Sequence, residues 1–182
     1  LLLTGCGGGK ENAQQRAALM RGQYLSMKSW SAVVDLSVDY GEKVYDFTVN
    51  ASWQREGETV LTVTQPELLA GITARIASDD TVLEYDGAGL SLGLLNGEGL
   101  PPISAIPAMM EAAAGGYMAR CDWREEGEST LLEVVCRDPE EEPGEGTEVT
   151  LTFDPDTCAL VRGEVSVDGA VMLTAVFHDF TM

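Results

Sequence analysis

The sequence predicts an α+β fold in which helices cover the apolar face of an antiparallel sheet. Between Ser31 and Gln65, apolar and polar residues alternate with a period of two, which is typical of strands that bury one face. Two other segments, 11–28 and 103–114, repeat their apolar residues every three or four positions, as helices do. The apolar face of such a sheet must be covered, and these two helices are the segments available to cover it.

The chain opens with an apolar run that is typical of the end of a secretory signal. Leu1-Leu2-Leu3 leads into Leu3-Thr4-Gly5-Cys6, which resembles the bacterial lipobox, and three glycines follow. In proteins with that motif the cysteine receives a diacylglycerol and the residues before it are removed. We therefore expect residues 1–6 to be a signal remnant ending in acylated Cys6, residues 7–12 to be a flexible tether, and residues 13–182 to form a single domain. Acyl chains such as palmitate would then hold the protein on a bilayer.

Both predicted helices carry methionines on their apolar stripes. In the first helix the stripe consists of Ala13, Ala17, Met20, Tyr24 and Met27. The second helix carries Met109 and Met110 and ends at two glycines. Such a stripe is either ordinary core or the lining of a ligand site, because flexible thioethers adapt to irregular partners of both kinds.

Strands account for most of the remaining chain. The first three form a meander with turns at 41–43 and 56–58, and a loop over 66–71 follows them. Two Asp-Gly pairs mark further tight turns. The other expected strands are 72–76, 82–86, 90–94, 117–125, 130–137, 147–154, 159–168 and 170–180.

Composition excludes several classes of partner. The 182 residues include 30 acidic and 11 basic side chains, a net charge of −19, which disfavours contact with nucleic acid or an anionic membrane surface. No run approaches the roughly 18 consecutive apolar residues that a membrane-spanning helix needs. Membrane attachment is therefore expected to be covalent, through Cys6, or peripheral.

The order of these features is similar to that of the LolA-like lipoprotein-carrier superfamily. The similarity covers 13–180. It begins with the lead helix, after which Met27-Lys28-Ser29-Trp30-Ser31-Ala32 enters the meander. It continues with the strand that ends at Tyr85-Asp86-Gly87, the helix after Pro102, and the closing hairpins around 154–157 and 168–169. The resemblance implies a strongly curved antiparallel sheet, an unclosed half-barrel, with helices covering its concave face.

Members of that superfamily differ in what they do. They include periplasmic carriers of lipoprotein acyl chains, mycobacterial lipid-transport lipoproteins, a domain that senses envelope stress, and a clostridial spore-germination lipoprotein that acts through a protein partner. The soluble carriers have no anchor such as Cys6. The resemblance therefore favours a membrane-bound acceptor, sensor or partner protein.

Two functions are compatible with these features. In the first, an extracytoplasmic lipoprotein anchored to the bacterial membrane binds an acyl chain or another hydrophobic ligand in its half-barrel. The expected lining of that cavity is Trp30, Val34, Leu36, Phe47, Val49, Trp53, Leu61, Val63, Met109, Met110 and Trp123. In the second, the helices fill the hollow permanently, and the protein is an adaptor or sensor whose acidic outer surface meets a partner protein. In both cases we expect a monomer.

Catalysis is not expected. The segment Gly89-Leu90-Ser91-Leu92-Gly93 has the G-x-S-x-G form of a hydrolase nucleophile elbow, and His178 is the one histidine that could serve as its base. The elbow needs a sharp turn between a strand and a helix, whereas the flanking leucines continue a strand-like alternation. The acidic loop 139–146 lacks the alternating ligands of a calcium loop, so we expect no metal and no cofactor.

Three cysteines lie within the expected domain. If Gly127-Glu128 forms a two-residue turn, Cys121 and Cys136 are only diagonal neighbours, which is too far for a disulfide. A looser loop over 126–131 would place the two cysteines directly opposite each other. We favour the looser loop and predict a Cys121–Cys136 disulfide, with Cys158 free.

Overall fold

Antiparallel strands form one continuous sheet in the computed structural model, which describes residues 12–78, 80–93 and 102–182. The eleven strands of the described residues are β1 (Ser29–Asp39), β2 (Val44–Gln54), β3 (Thr59–Gln65), β4 (Thr73–Ile76), β5 (Thr81–Tyr85), β6 (Ala88–Gly93), β7 (Met118–Glu126), β8 (Ser129–Cys136), β9 (Thr147–Phe153), β10 (Leu160–Val167) and β11 (Ala170–Thr181). Their order across the sheet is β6-β5-β4-β3-β2-β1-β11-β10-β9-β8-β7. Because β6 and β7 are its two edges, the sheet is an unclosed half-barrel, as predicted.

The alternation of residue types decides which face of each strand is buried. In β1 every second residue from Trp30 to Val38 is buried. The register with β2 sets Trp30 opposite Trp53 and Val34 opposite Val49. Directly opposed residues share a face of the sheet, so the apolar face continues from one strand to the next.

Two hairpins turn on Asp-Gly pairs with positive φ. Asp86 and Gly87 have φ angles of 48° and 77°, and Asp168 and Gly169 have 49° and 79°. A two-residue type I′ turn needs positive φ at both positions, which aspartate and especially glycine tolerate. The turns predicted at these pairs are confirmed.

Two helices cover the apolar, concave face. Helix α1 (Ala13–Ser26) begins after Asn12, whose side chain caps its first turn, and helix α2 (Pro102–Gly115) follows β6. Their buried residues are Ala13, Ala17, Met20, Tyr24, Ala105, Ile106, Met109, Met110 and Ala113. Neither helix has the length that crossing a membrane requires, and the described residues offer no other candidate.

Helix α2 approaches β10 closely. Met109 is 0% exposed, and a Cβ at Gly163 would collide with its sulfur atom. Glycine at this position therefore lets the helix approach the sheet closely. Arg21 of α1 donates hydrogen bonds to the backbone carbonyls of Ala113 and Gly116, at the end of α2. The two helices are thus joined to each other as well as to the sheet.

The predicted Cys121–Cys136 disulfide is wrong, because both residues are free thiols, and so is Cys158. The hairpin between β7 and β8 turns tightly after Glu126, and the resulting register sets Cys121 opposite Val134. The two sulfur atoms are therefore not on directly opposed positions. Burial raises the pKa of both thiols.

Several predictions fall outside the described residues. These are the lipobox with Cys6, the tether over 7–12 apart from its last residue, and the end of the strand predicted over 90–94.

The loop predicted over 66–71 contains a short 3-10 helix, Glu67–Leu69.

Candidate functional site

An apolar pocket of about 250 Å³ opens between the two helices and the first three strands. Side chains from the end of α1, one face of α2, and facing positions on β1, β2 and β3 line it. The lining residues are Tyr24, Met27, Trp30, Trp53, Thr59, Pro107, Met110, Glu111 and Ala114. We call this site the aromatic pocket.

Strand register and helical periodicity bring these side chains together. Trp30 lies opposite Trp53 on the neighbouring strand, and Trp53 lies opposite Thr59 on the next. Opposed positions share one face of the sheet. On α2 the lining positions from Pro107 to Ala114 recur at intervals of three or four, which is one face of a helix.

Tyr24 and Trp30 form a fixed wall of the aromatic pocket. The ring of Tyr24 meets Phe153 edge-on with ring centroids 5.4 Å apart, and Trp30 stacks on Phe180 with centroids 6.1 Å apart. The Tyr24 hydroxyl donates to the backbone carbonyl of Cys158 over 2.9 Å. Burial raises the pKa of the Tyr24 phenol. This wall is therefore held in place by packing and stays uncharged at neutral pH.

Arg55 holds the last turn of α1 over the aromatic pocket. Its Nε donates to the backbone carbonyl of Met27 over 3.0 Å, and its guanidinium also donates to the carbonyl of Leu25. The last carbonyls of a helix have no partners within the helix. Arg55 supplies those partners from the turn between β2 and β3, and this fixes the backbone that carries Met27.

The electrostatics of the aromatic pocket depend on one side chain. Of the described residues that line the pocket, Glu111 alone carries a charge, and it is exposed. Thr59, an uncharged polar residue of the lining, is buried. The pocket therefore offers apolar walls with one carboxylate at its open side.

Three of the predicted lining residues reach the aromatic pocket, namely Trp30, Trp53 and Met110. The core beneath the helices contains five others, which are Val34, Leu36, Val49, Leu61 and Met109. Phe47 and Val63 are half-buried against that core. Trp123 lies in a separate groove near the other edge of the sheet.

Four lining residues were missed by the sequence analysis, namely Thr59, Pro107, Glu111 and Ala114. The last three lie within the predicted helix over 103–114, and their spacing was the available signal. Tyr24 and Met27 belong to the stripe predicted for α1, but the sequence analysis did not assign them to a cavity.

A second depression, about 700 Å³ in volume, lies at the tip of the β7–β8 hairpin. Its lining is Arg16, Trp123, Glu125, Glu128, Ser129, Thr130, Leu131, Asp154, Pro155 and Asp156. We call it the acidic groove. The Arg16 guanidinium donates to the backbone carbonyl of Pro155. Hydrogen bonds from the N–H groups of Thr157 and Asp156 lower the pKa of Asp154, so this carboxylate stays charged.

Ser91 and His178 do not form a catalytic pair. Ser91 lies within β6, and its hydroxyl donates to the carboxylate of Asp80 over 2.8 Å. The Nε2 atom of His178, on β11, lies 2.9 Å from the carboxylate of Asp35. Five strands separate β6 from β11 in the sheet. Because a nucleophile elbow needs a turn between a strand and a helix, the G-x-S-x-G segment is structural here.

The described residues contain no group of three or more potential ligands arranged to hold a metal ion.

Asp35, Thr48 and His178 form a polar cluster. The hydroxyl of Thr48 and the imidazole of His178 lower the pKa of Asp35. This polar cluster lies on the convex side of the sheet, away from the aromatic pocket.

No family model matches this sequence, and no curated protein matches it significantly. Solved structures do match it. An uncharacterised conserved protein from Thermus thermophilus is 12% identical and has a TM-score of 0.54, with 93% of this chain and 87% of that chain covered. At such low identity the match concerns the fold alone.

Two further solved structures are similar at lower scores. A putative outer membrane lipoprotein-sorting protein domain from Vibrio parahaemolyticus is 10% identical, with a TM-score of 0.49 and 93% of each chain covered. A LolA superfamily protein from Nitrosomonas europaea is 11% identical, with a TM-score of 0.45 and coverage of 95% of this chain and 94% of that chain. The unclosed sheet and its two covering helices are the arrangement that the sequence resemblance implies, so the chain has a LolA-like fold.

Proposed function

We propose that this protein is a membrane-anchored extracytoplasmic lipoprotein that binds an acyl chain or a similar hydrophobic ligand in the aromatic pocket. The observation that carries the proposal is the lining of that pocket, which combines aromatic rings with the thioethers of Met27 and Met110. Apolar walls bind alkyl chains by removing them from water, and thioethers adapt to the shape of a guest. The protein acts by binding and not by catalysis.

The volume of the aromatic pocket limits the size of its ligand. Drug-sized ligands usually occupy pockets of roughly 300 to 1,000 Å³, whereas this pocket measures about 250 Å³. It therefore accommodates part of a single alkyl chain. A ligand with one chain suits this site better than a lipid with two or three.

The lipobox supports the anchoring part of the proposal. Acylation of Cys6 would place two or three chains in the bilayer, which is enough for stable attachment. A tethered protein stays close to the membrane in which hydrophobic ligands dissolve. The aromatic pocket would then act as a local acceptor and not as a carrier that crosses the compartment.

Calorimetric titration tests the proposed binding. The full chain carrying Cys6→Ser, which cannot be acylated, is titrated with the uncharged single-chain lipid 1-octanoylglycerol. We expect saturable one-to-one binding that Met110→Trp weakens at least about tenfold, a loss of roughly 1.4 kcal/mol. Met172→Trp is the matched control, because Met172 is exposed on β11 and does not line the pocket. Absence of binding, or equal weakening by both changes, would contradict the proposal.

The acidic groove favours a second candidate function, that of an anchored adaptor or sensor. Its carboxylates surround the apolar surface of Trp123 and Leu131, which suits a basic segment of a partner protein. A lysine-rich peptide that binds the chain, and binds more weakly after Glu128→Gln, would support this function. It becomes the better account if 1-octanoylglycerol does not bind.

A further inference from the structure

We infer that the aromatic pocket selects a single-chain amphiphile with a positively charged head, such as a quaternary ammonium or a protonated amine. The inference rests on the proposed function, because it names the class of ligand for the same pocket. Its basis is the lining formed by the described part of the chain, which combines three aromatic side chains with one carboxylate and includes no basic side chain.

The aromatic walls favour a cation over an anion. Tyr24, Trp30 and Trp53 line the pocket, and the face of an aromatic ring attracts positive charge. The Tyr24 phenol is neutral at physiological pH because burial raises its pKa. The attraction is strongest for a weakly hydrated cation, such as a quaternary ammonium.

The charge of the lining points to the same class of head group. The carboxylate of Glu111 can pair with a cationic head while the alkyl chain lies among the apolar side chains. Among the residues that the structure describes, no basic side chain lines the pocket to neutralise a fatty-acid carboxylate. Arg55, in the turn between β2 and β3, donates to the carbonyls of Leu25 and Met27 at the end of α1. Lys28 is exposed and is not part of the lining.

The charge of the whole molecule acts in the same direction. A net charge of −19 raises the local concentration of cations around the protein and lowers that of anions. This general effect alone would attract any cation to any part of the surface. The local contribution of Glu111 must therefore be separated from it by experiment.

Octyltrimethylammonium and octanoate provide the test, because they share the chain length and differ in the charge of the head. Both are titrated calorimetrically into the Cys6→Ser chain below their micellar concentrations. We expect octyltrimethylammonium to bind one-to-one and at least about tenfold more tightly than octanoate. Glu111→Gln should reduce this preference severalfold, and Glu111→Asp should restore most of it. Met110→Trp should abolish the binding of both probes.

Glu42→Gln is the matched control for charge. It removes one negative charge from the β1–β2 hairpin, outside the aromatic pocket, and should leave the preference unchanged. Equal affinities for the two probes, or tighter binding of octanoate, would overturn the inference. Equal effects of Glu42→Gln and Glu111→Gln would also overturn it, since general charge would then account for the preference. In each of these cases binding of 1-octanoylglycerol would leave the proposed function standing, whereas loss of all binding would overturn both.

Discussion

Tyr24 connects the stability of the fold to the wall of the aromatic pocket. Its ring packs against Phe153, and its hydroxyl supplies the donor for the buried carbonyl of Cys158. A buried acceptor without a donor loses its hydration and gains nothing in return. The hydroxyl is therefore needed for the wall even though a phenylalanine would have nearly the same shape.

We expect Tyr24→Phe to lower the free energy of unfolding by about 1–2 kcal/mol near neutral pH. The folded state raises the phenol pKa above its ordinary value of 10.0, so the unfolded chain releases this proton first as the pH rises. The stabilisation that the wild type gains from Tyr24 is thus fully present below pH 10.0 and decreases above it. Urea denaturation of the wild type and of Tyr24→Phe over a series of pH values measures this difference in the free energy of unfolding. A stability difference that stays constant into the alkaline range would contradict the expectation.

Gly163 is the second residue with a direct energetic test. A Cβ at this position would collide with the sulfur of Met109 and lie 3.0 Å from its Cε, and Met109 has no exposed surface. We expect Gly163→Ala to cost about 1–3 kcal/mol of stability, because the helix must move away from β10. Gly22→Ala is the control, since nothing lies within 4 Å of its added Cβ, and it should stabilise α1 by up to about 1 kcal/mol. A neutral Gly163→Ala would show that Met109 can repack freely.

At the level of elements, arginines hold the ends of both helices. Arg21 of α1 donates to carbonyls at the end of α2, and Arg55 donates to carbonyls at the end of α1. Helix ends leave carbonyls without intrahelical partners. The two arginines therefore fix the position of each helix relative to the surface that it covers.

Replacement of Arg21 by methionine keeps the unbranched stem and removes the donors. We expect Arg21→Met to lower the free energy of unfolding by about 1–3 kcal/mol, because charged hydrogen bonds to half-buried carbonyls are lost. The control is Arg124→Met, which removes a half-exposed arginine of β7 from its ion pair with Glu133 of β8 and should change stability by less than about 1 kcal/mol. Chemical denaturation of the wild type and of both variants measures how much each change lowers the free energy of unfolding. Equal effects would mean that Arg21 contributes only as a surface charge.

The strands were predictable because burial of one face imposes the alternation seen in β1 and β2. The register of the β7–β8 hairpin was not, since Gly127-Glu128 is compatible with both a tight turn and a looser loop. The cysteine pairing depended on that choice and was predicted wrongly. Periodicity alone cannot distinguish these turns, because both preserve which face is buried.

The candidate site was predictable only in part for a similar reason. Apolar periodicity identifies the face of α2 that meets the sheet, but it does not say where along the sheet the helix lies. That position follows from the close approach of Met109 to Gly163. It places Val34 in the filled core and leaves Trp53 at the opening. Glu111 had no signal in the sequence beyond its helical position.

For the whole molecule, acylation of Cys6 is the part of the proposal that would decide where the aromatic pocket operates. We expect Cys6 to be acylated in the native host and residues 1–5 to be absent from the mature protein. Mass spectrometry of the protein from the membrane fraction checks both points. The Cys6→Ser chain should move to the soluble extracytoplasmic fraction, whereas Cys158→Ser should not. An unmodified Cys6 thiol or an uncut leader would contradict this expectation.

The pairing of β1 with β11 has a consequence for how fast the protein folds. Every other pair of neighbouring strands is consecutive in the chain, whereas Ser31 and Thr181, which face each other across this pair, are 150 residues apart. Hairpins close quickly, while contacts of large sequence separation must first overcome the entropy of closing a long loop. The two meanders should therefore form early, and their junction should form last and limit the folding rate. Until that junction forms, β1 presents an open edge to other chains.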